Sequence, residues 1–166
     1  MLLGECRDVV FQSSPFPGAD FHVYAENETI GASHFARRWF QLTYGGSVWR
    51  ELRTRPFLCS GTTINPVPAI LSYLEVLTRE LGRIMANGGK NQAVHNYVIH
   101  RGLVPAVIAL FGEGRGITLN AVAAGQLRLE AGRLMDAAGR PFPIVHQYDR
   151  VPGLAGRLAG ATAAES

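Results

Sequence analysis

The chain has 166 residues, of which 47% are hydrophobic and 17% charged, with a formal net charge of +3. This balance is typical of one globular domain with a sizeable core, and it excludes disordered and fibrous proteins. The 16 basic residues are scattered along the chain. Because a nucleic-acid-binding surface needs clustered basic residues, no nucleic-acid partner is expected.

No segment has the pattern of a membrane span or a signal peptide. The longest apolar run, residues 104–111, is too short to cross a bilayer and contains a proline. Glu5 interrupts the N-terminus before the apolar core of a signal peptide could form. We therefore expect a cytoplasmic protein, free or peripheral to a membrane. Cys6 and Cys59 have neither zinc-site nor disulfide spacing, which favours reduced side chains.

In chain order, the N-terminal third predicts short strands and then a helix. The apolar residues 2–3 and 9–11 favour a strand, the turn-forming residues 13–18 a loop, and residues 21–25 a further short strand. A helix is expected over residues 32–44, with Phe35, Trp39 and Leu42 facing the core. Gly45-Gly46 is expected to end this helix.

The strongest helical pattern begins near residues 66–68. Apolar residues recur there at three- and four-residue intervals, at Ile70, Leu71, Leu74, Leu77, Leu81, Ile84 and Met85. The turn-forming residues 87–89 are expected to end this helix. A shorter helix is expected over residues 91–100, closed by Arg101-Gly102.

The C-terminal third predicts strands and a tail. Strands are expected at residues 107–111, 117–119, 133–135 and 143–146. Residues 136–140 favour the turn of a hairpin. Residues 156–166 are rich in alanine and glycine, which favours a flexible tail after a single α/β domain over residues 1–155.

Two polar clusters at expected strand ends have the side chains of a divalent-cation site. Glu5 and Asp8 lie three residues apart, and only a turn brings them together, because side chains on a strand alternate with a period of two. His146 opens a run of five polar residues directly after an apolar strand. Carboxylates and an imidazole together suit Mn²⁺ or Mg²⁺. The alternatives are a surface pair of Arg7 with Asp8 and a polar turn at residues 146–150.

Residues 59–65, Cys-Ser-Gly-Thr-Thr-Ile-Asn, are expected between a strand and the long helix. Backbone N–H groups at such a junction bind sugar or phosphate oxygens. Capping of the helix by Thr62, Thr63 or Asn65 is the commoner use of these residues.

The shorter helix begins with an unusual number of polar side chains. Asn91 shares a face with His95, and Gln92 shares the neighbouring face with Asn96. These rows favour a polar site near the helix start. The alternative is a helix that lies half-exposed on a sheet, with Asn91 as its N-cap.

Taken together, the order of these segments resembles a group of GT-A-like glycosyltransferases. The segments are residues 5–12 with Pro15-Phe16, residues 59–64, residues 91–97 and residues 145–150, and the resemblance runs from about Leu2 to Arg150. It implies a partial GT-A-like α/β fold, that of nucleotide-diphospho-sugar transferases, with a mixed sheet flanked by helices. It also implies transfer of a sugar from a nucleotide-sugar donor to a glycan or other hydroxyl acceptor.

The resemblance assigns roles to individual residues. Glu5, Asp8 and His146 correspond to ligands of Mn²⁺ or Mg²⁺, and Asn91 and Gln92 to a catalytic pair near the reaction centre. Substrate contacts are expected from Arg7, Ser60, Gly61, Thr62, His95, Gln147, Asp149 and Arg150.

Several departures from the family pattern bear on activity. Glu5, Ser14 and Asn91 stand where the family has Asp, and Asn65 stands where it has Gly. Asn91 orients a hydroxyl but cannot take its proton. The family's nucleotide-binding strands precede the acidic motif, so a truncated C-terminal portion is expected, whose open sheet edge favours self-association. A transferase, a non-catalytic glycan- or diphosphate-binding remnant and a partner-binding structural subunit all remain open.

Overall fold

The structure is a computed structural model that describes residues 2–4, 8–16, 22–84, 90–119 and 128–162. Within these ranges the chain forms a mixed α/β fold with helices and mixed sheets. The helices are α1 (His34–Leu52), α2 (Val67–Arg83), α3 (Lys90–His100) and α4 (Leu154–Thr162), with a 3₁₀ turn at Tyr148–Arg150. No helix in the described ranges is both long and apolar enough to cross a membrane.

The strands form two larger sheets and a hairpin. The main sheet has the order β1-β4-β3-β5 and contains β1 (Leu2–Gly4), β3 (His22–Thr29), β4 (Pro56–Ile64) and β5 (Val107–Ala109). The second sheet has the order β2-β9-β6 and contains β2 (Val9–Phe11), β6 (Gly116–Thr118) and β9 (Ile144–His146). The hairpin pairs β7 (Arg128–Glu130) with β8 (Arg133–Met135). Both larger sheets combine antiparallel and parallel pairs.

The main sheet is buried on both faces because its side chains alternate between two partners. Val23 and Leu58 pack with apolar residues of α2 and α3. Tyr24 and Ile64 pack with Ile144 of the second sheet. As a result, β4 runs between α3 on one side and β9 on the other.

The pairing of β3 with β4 is interrupted by bulges. Val23 pairs with Thr63, and Ala25 pairs with Leu58. Two residues along β3 therefore correspond to five residues along β4, so the extra residues lie on β4. Farther along, Thr29 pairs with Pro56, which leaves the extra residues on β3. Bulges turn side chains out of the regular alternation and are common beside functional sites. Residues 59–62 of β4 and residues 26–28 of β3 therefore lie outside the regular pairing of these two strands.

The helix α3 is fixed to β4 through Asn96, whose side chain is fully buried. Its Oδ1 accepts a hydrogen bond from Leu58 N at 2.8 Å, and its Nδ2 donates to Leu58 O at 2.7 Å. Nδ2 also donates to Gln92 O at 2.9 Å. The side-chain amide of Asn96 therefore bonds both the backbone N–H and the backbone C=O of Leu58, and these hydrogen bonds fix the position of α3 relative to β4.

The helix α1 agrees with the expectation at Gly45 and differs in its buried face. Gly45 has non-helical φ 82 and ψ 171, so a first helical segment ends at this glycine as expected, and a second segment continues beyond the kink to Leu52. Phe35 and Leu42 are 64% and 55% exposed, whereas Phe40 is buried. The predicted core face is confirmed for Trp39, which packs against the core, and was wrong for Phe35 and Leu42, because the buried face of α1 carries Phe40.

Two strand expectations and one helix-cap expectation are corrected as well. Residues 59–64 lie within β4 and not in a loop, and Pro66 is the N-cap of α2, without a side-chain hydrogen bond. Capping by Thr62, Thr63 or Asn65 was therefore wrong. Residues 2–4 and 9–11 belong to different sheets. The expected bounds of β8 and of α3 are confirmed to within a residue.

The C-terminal segment is helical through Thr162, where composition favoured a flexible tail from residue 156. Leu154 and Leu158 are buried and pack with Leu134 and Val145. Leucines four residues apart lie on one helical face, so burial against the second sheet stabilises a helix that its alanine- and glycine-rich composition did not indicate.

The buried contacts of Asn96 predict a large effect on stability. We expect Asn96→Ala to lower the free energy of unfolding by about 2 to 3 kcal/mol, because the N–H of Leu58 loses its buried partner and its C=O keeps only the longer hydrogen bond from Gln92 Nε2. Urea denaturation followed by circular dichroism measures this. Asn91→Ala, an exposed substitution on the same helix, is the control and should change stability by less than about 0.5 kcal/mol. Equal effects of the two substitutions would contradict the role given to Asn96.

Candidate functional site

Asp8 and His146 come from opposite ends of the chain and meet beside the second sheet. Asp8 precedes β2 and His146 ends β9, and the antiparallel ladder pairs Val9 with His146. Gln147 N donates a hydrogen bond to Asp8 O at 2.7 Å. This backbone pairing brings Asp8 Oδ1 to 3.4 Å from His146 Nε2. Both residues are buried, with exposed fractions of 8% and 1%.

The other nitrogen of His146 faces two weak polar partners. Nδ1 lies 3.2 Å from Cys59 Sγ and 3.4 Å from Thr118 Oγ1. If Nδ1 carries the proton and donates to one of them, Nε2 directs a lone pair at Asp8. A lone pair and a carboxylate oxygen repel each other, so a proton or a metal cation between them stabilises the arrangement.

A close backbone approach packs β4 against this imidazole. A Cβ atom at Gly61 would lie 2.6 Å from His146 Nε2, nearer than real Cβ contacts allow. Gly61 N also donates to Cys59 Sγ at 3.3 Å. Gly61 is therefore required at this position by the space that His146 occupies, and β4 is held against the Asp8–His146 pair.

The donor atoms of the pair fit a divalent cation. Asp8 Oδ1 is buried and accepts no hydrogen bond from any residue that the structure describes. A carboxylate oxygen and an imidazole nitrogen are both ligands that Mn²⁺ takes in proteins. The described part of the chain holds no group of three or more His, Cys, Asp and Glu side chains placed for a metal. Glu5, the third expected ligand, and Arg7 lie outside the described residues.

A second polar cluster lies on the α3 side of β4. Gln92 Nε2 donates to Glu26 Oε1 at 2.7 Å, and Ser60 Oγ donates to Gln92 Oε1 at 3.3 Å. We call these three side chains the Glu26–Gln92–Ser60 row. The residues come from β3, α3 and β4, and both strands contribute from their bulged segments. Ser60 and Gly61 are consecutive, so β4 connects the row to the Asp8–His146 pair.

Glu26 is the carboxyl group of the row and has an unusual proton affinity. Burial raises its pKa from 4.5 to about 7, against the lowering effect of the hydrogen bond from Gln92, and Glu28 adds to the rise. Desolvation disfavours the charged form. Near neutral pH, the Glu26 carboxyl group is therefore protonated in part of the molecules and ionised in the rest.

His95, expected at the substrate, is a core residue. It is fully buried, and its Nδ1 lies 2.7 Å from the hydroxyl of Tyr73. Burial lowers the pKa of His95 to about 3, helped by His100, so the imidazole is neutral. The expected substrate contact is therefore corrected to a packing role between α2 and α3.

The remaining expected site residues are dispersed. The side chain of Asn91 is exposed and makes no hydrogen bond to another described residue, whereas its neighbour Gln92 belongs to the row. Thr62 is buried in β4. Gln147 has a left-handed backbone with φ 57. Asp149 and Arg150 are exposed on the 3₁₀ turn, where Arg150 Nε lies 3.5 Å from Asp149 Oδ1.

Sequence reasoning missed three residues that contact the site. Cys59 was expected as a reduced side chain in the 59–65 segment, without a contact to His146, and Thr118 and Glu26 were not considered. For Glu26 a signal existed, since it follows Val23-Tyr24-Ala25 in a strand pattern where a carboxylate is uncommon. No signal marked Thr118, because its contact with His146 depends on the parallel pairing of β6 with β9.

Comparison with known proteins identifies no relative of this chain: no family model, no curated protein and no solved structure matches it.

The Gly61 contact predicts a specific steric sensitivity. We expect Gly61→Ala to destabilise the fold by about 1 to 3 kcal/mol, since the added methyl group overlaps the His146 ring. Gly82→Ala is the matched control, because Gly82 is exposed in α2 and has nothing within 4 Å of an added Cβ. It should be neutral or stabilising by up to about 1 kcal/mol. Thermal denaturation of both variants measures this, and a neutral Gly61→Ala variant would rule out the close approach.

The raised pKa of Glu26 predicts how stability depends on pH. Its folded-state pKa of about 7 exceeds the usual 4.5, so its contribution to stability is complete below the lower value and is lost as pH rises through the higher one. Glu26→Gln removes this loss. Relative to wild type, the variant should therefore gain about 1 to 3 kcal/mol between pH 4.5 and pH 8.

Urea denaturation across this pH range measures the gain. Glu28→Gln is the matched control, and it should retain most of the pH dependence because desolvation, not Glu28, is the largest cause of the Glu26 shift. A parallel pH dependence in wild type and Glu26→Gln would contradict the assignment.

Proposed function

We propose that this chain carries the metal- and diphosphate-binding part of a GT-A-like glycosyltransferase, which transfers a sugar from a nucleotide-sugar donor to a hydroxyl acceptor. The observation that carries the proposal is the buried contact of Asp8 with His146, 3.4 Å apart. A carboxylate oxygen and an imidazole nitrogen that face each other in a buried site fit a proton or a metal cation between them. The resemblance of the polar segments to this family agrees with a cation at that point.

Asp8 Oδ1 and His146 Nε2 would hold Mn²⁺ or Mg²⁺, with Glu5 as the third protein ligand that the sequence predicts. When bound, the ion supplies Lewis-acid stabilisation of the leaving diphosphate. Cys59 and Thr118 contact the other imidazole nitrogen, and such outer contacts fix the tautomer and orientation of a ligating histidine. Gly61 leaves no side chain between β4 and the imidazole.

The Glu26–Gln92–Ser60 row supplies the polar groups for the sugar acceptor. Hydroxyl and amide side chains bind sugar hydroxyls through hydrogen bonds. Ser60 lies next to Gly61 on β4, but Ser60 faces α3 whereas Gly61 packs on His146, so the row is a polar group separate from the Asp8–His146 pair. Of the two predicted catalytic residues, Gln92 belongs to this row, whereas Asn91 contributes no described contact.

A second candidate is a non-catalytic glycosyltransferase-like module that binds glycan, diphosphate or a partner chain. One observation favours it: Asn91, an amide where the family has a carboxylate, is exposed and outside both clusters. Among the described strands β1 is the outermost of the main sheet, and an edge strand can pair with a second copy of the chain. Metal-dependent nucleotide binding with no sugar transfer to any acceptor would favour this candidate.

Metal removal and an Asp8 variant test the proposal. By isothermal titration calorimetry, we expect a panel of nucleoside diphosphates such as UDP and GDP to bind with Mn²⁺ and to lose binding with EDTA. Asp8→Asn should weaken Mn²⁺-dependent binding more than about tenfold. Glu130→Gln removes an equal charge from the exposed surface of β7 and should not change it. Equal affinities of the Asp8→Asn variant and wild type, or metal-independent binding, would refute the proposal.

A further inference from the structure

We propose that the exposed side of α1 docks the protein on the surface of an anionic lipid bilayer. The docking surface consists of apolar and basic side chains of residues 34–55, a segment outside both polar clusters of the candidate site. These side chains contact the headgroups and the upper part of the acyl chains without crossing the bilayer. The inference goes beyond the proposed function and does not depend on it.

Phe35 and Leu42 form the apolar part of this surface. They are 64% and 55% exposed, although both are large apolar side chains. Seven residues make two helical turns, so the two side chains lie on one face of α1, together with Arg38. Phe40 lies on the other side of the helix, in the core. The Phe35 ring also stacks on the half-buried Trp39 ring, with 5.7 Å between centroids.

The fold brings arginines from two stretches of the chain to this part of the molecule. The guanidinium of Arg37 lies over the ring of Trp49, 5.1 Å from its centroid. Farther along, Gly31 N donates a hydrogen bond to Arg53 O at 2.7 Å, which places residue 53 beside the entry to α1. The segment after the Gly45 kink therefore returns beside the first segment, and basic residues that are separate in sequence become neighbours.

These basic side chains lack acidic partners. The exposed arginines of the segment are Arg37, Arg38, Arg50, Arg53 and Arg55. None of them forms an ion pair with a carboxylate that the structure describes. Arg79 and Arg83 of α2, by contrast, each pair with a glutamate one turn earlier. Glu51 is the acid of the segment, and two hydrogen bonds of 2.6 and 2.8 Å join it to Arg101.

Charge complementarity and the apolar side chains together favour a bilayer as the partner. Arginines near an anionic bilayer raise the affinity by about fivefold each. Phe35 and Leu42 add to this because apolar side chains are stabilised at the boundary between headgroups and acyl chains. A nucleic acid also attracts arginines, and its bases stack on an aromatic ring. An exposed leucine gains little from phosphates and bases, so Leu42 favours the bilayer.

Co-sedimentation of the full chain with lipid vesicles tests the proposal. Vesicles of phosphatidylcholine with about one-third phosphatidylglycerol supply the anionic surface, and pure phosphatidylcholine is the neutral comparison. EDTA is present, so that no divalent cation links the protein to the headgroups. We expect binding to the anionic vesicles at about 0.1 M salt and at least about tenfold weaker binding at about 1 M salt. Neutral vesicles should bind at least about tenfold more weakly than anionic ones.

Two double variants separate the basic from the apolar contribution. Arg38→Gln with Arg53→Gln should weaken binding to anionic vesicles by about tenfold or more. Phe35→Ser with Leu42→Ser should weaken it by about threefold or more. All four side chains are exposed, and circular dichroism during heating checks that each variant is folded.

α2 provides matched controls for both double variants. Arg79→Gln with Arg83→Gln removes the same charge from the protein, and Leu71→Ser removes a leucine that is 58% exposed. Each should change vesicle binding by less than about twofold. Losses in these controls as large as those in the α1 variants would overturn the assignment of the surface.

Tryptophan fluorescence locates the contact. The two tryptophans of the chain, Trp39 and Trp49, both belong to α1. Their emission therefore reports on this helix alone. Brominated phosphatidylcholine in the anionic vesicles should quench the emission, because bromine atoms in the acyl chains come close to the rings. Vesicle binding without quenching would place the contact elsewhere and overturn the proposal.

The remaining outcomes are also decisive. Equal binding to neutral and anionic vesicles would remove the charge complementarity on which the proposal rests. Binding of a single-stranded RNA without binding of the vesicles would assign the basic surface to nucleic acid. Because the vesicle assay contains neither nucleotide nor free metal, its failure leaves the proposed function standing, and failure of Mn²⁺-dependent nucleotide binding leaves the docking surface standing.

Discussion

The antiparallel pairing of β2 with β9 is the constraint on which the candidate site depends. Each strand is only three residues long, yet the pair joins the beginning of the chain to its C-terminal third. The hydrogen bond from Gln147 N to Asp8 O closes the ladder at the point where the two functional side chains meet. The site therefore exists only when the second sheet is complete.

Polar groups in the core have consequences for both stability and function. Buried hydrogen-bonded amides such as Asn96 satisfy their partners fully and hold α3 in place. Asp8 differs, because its buried Oδ1 accepts no hydrogen bond from the described residues. Such groups are costly to bury. Buried polar groups with hydrogen-bond partners thus belong to the scaffold, whereas the buried oxygen without one belongs to the candidate site.

β4 connects the two clusters because it does not follow a regular ladder. A regular strand would place Cys59 and Gly61 on one face and Ser60 on the other, with all three opposite β3 residues. The bulges keep this alternation but release the segment from its neighbour, so Ser60 reaches Gln92 while Gly61 packs on His146. Position 61 thus requires a glycine because His146 lies close, and position 60 supplies the hydroxyl that bonds Gln92; both belong to the same irregular segment of β4.

The sequence by itself determined the mixed α/β character, the strongly periodic helix α2 and the bounds of α3 and β8, and it singled out Asp8 and His146 as candidate partners. These follow from local periodicity and composition, which act over a few residues. Only the tertiary structure decided that α1 buries Phe40, that residues 59–64 continue a strand, and that Glu26 joins Gln92. Those outcomes depend on contacts between segments far apart in the chain, whose burial and register local patterns do not encode.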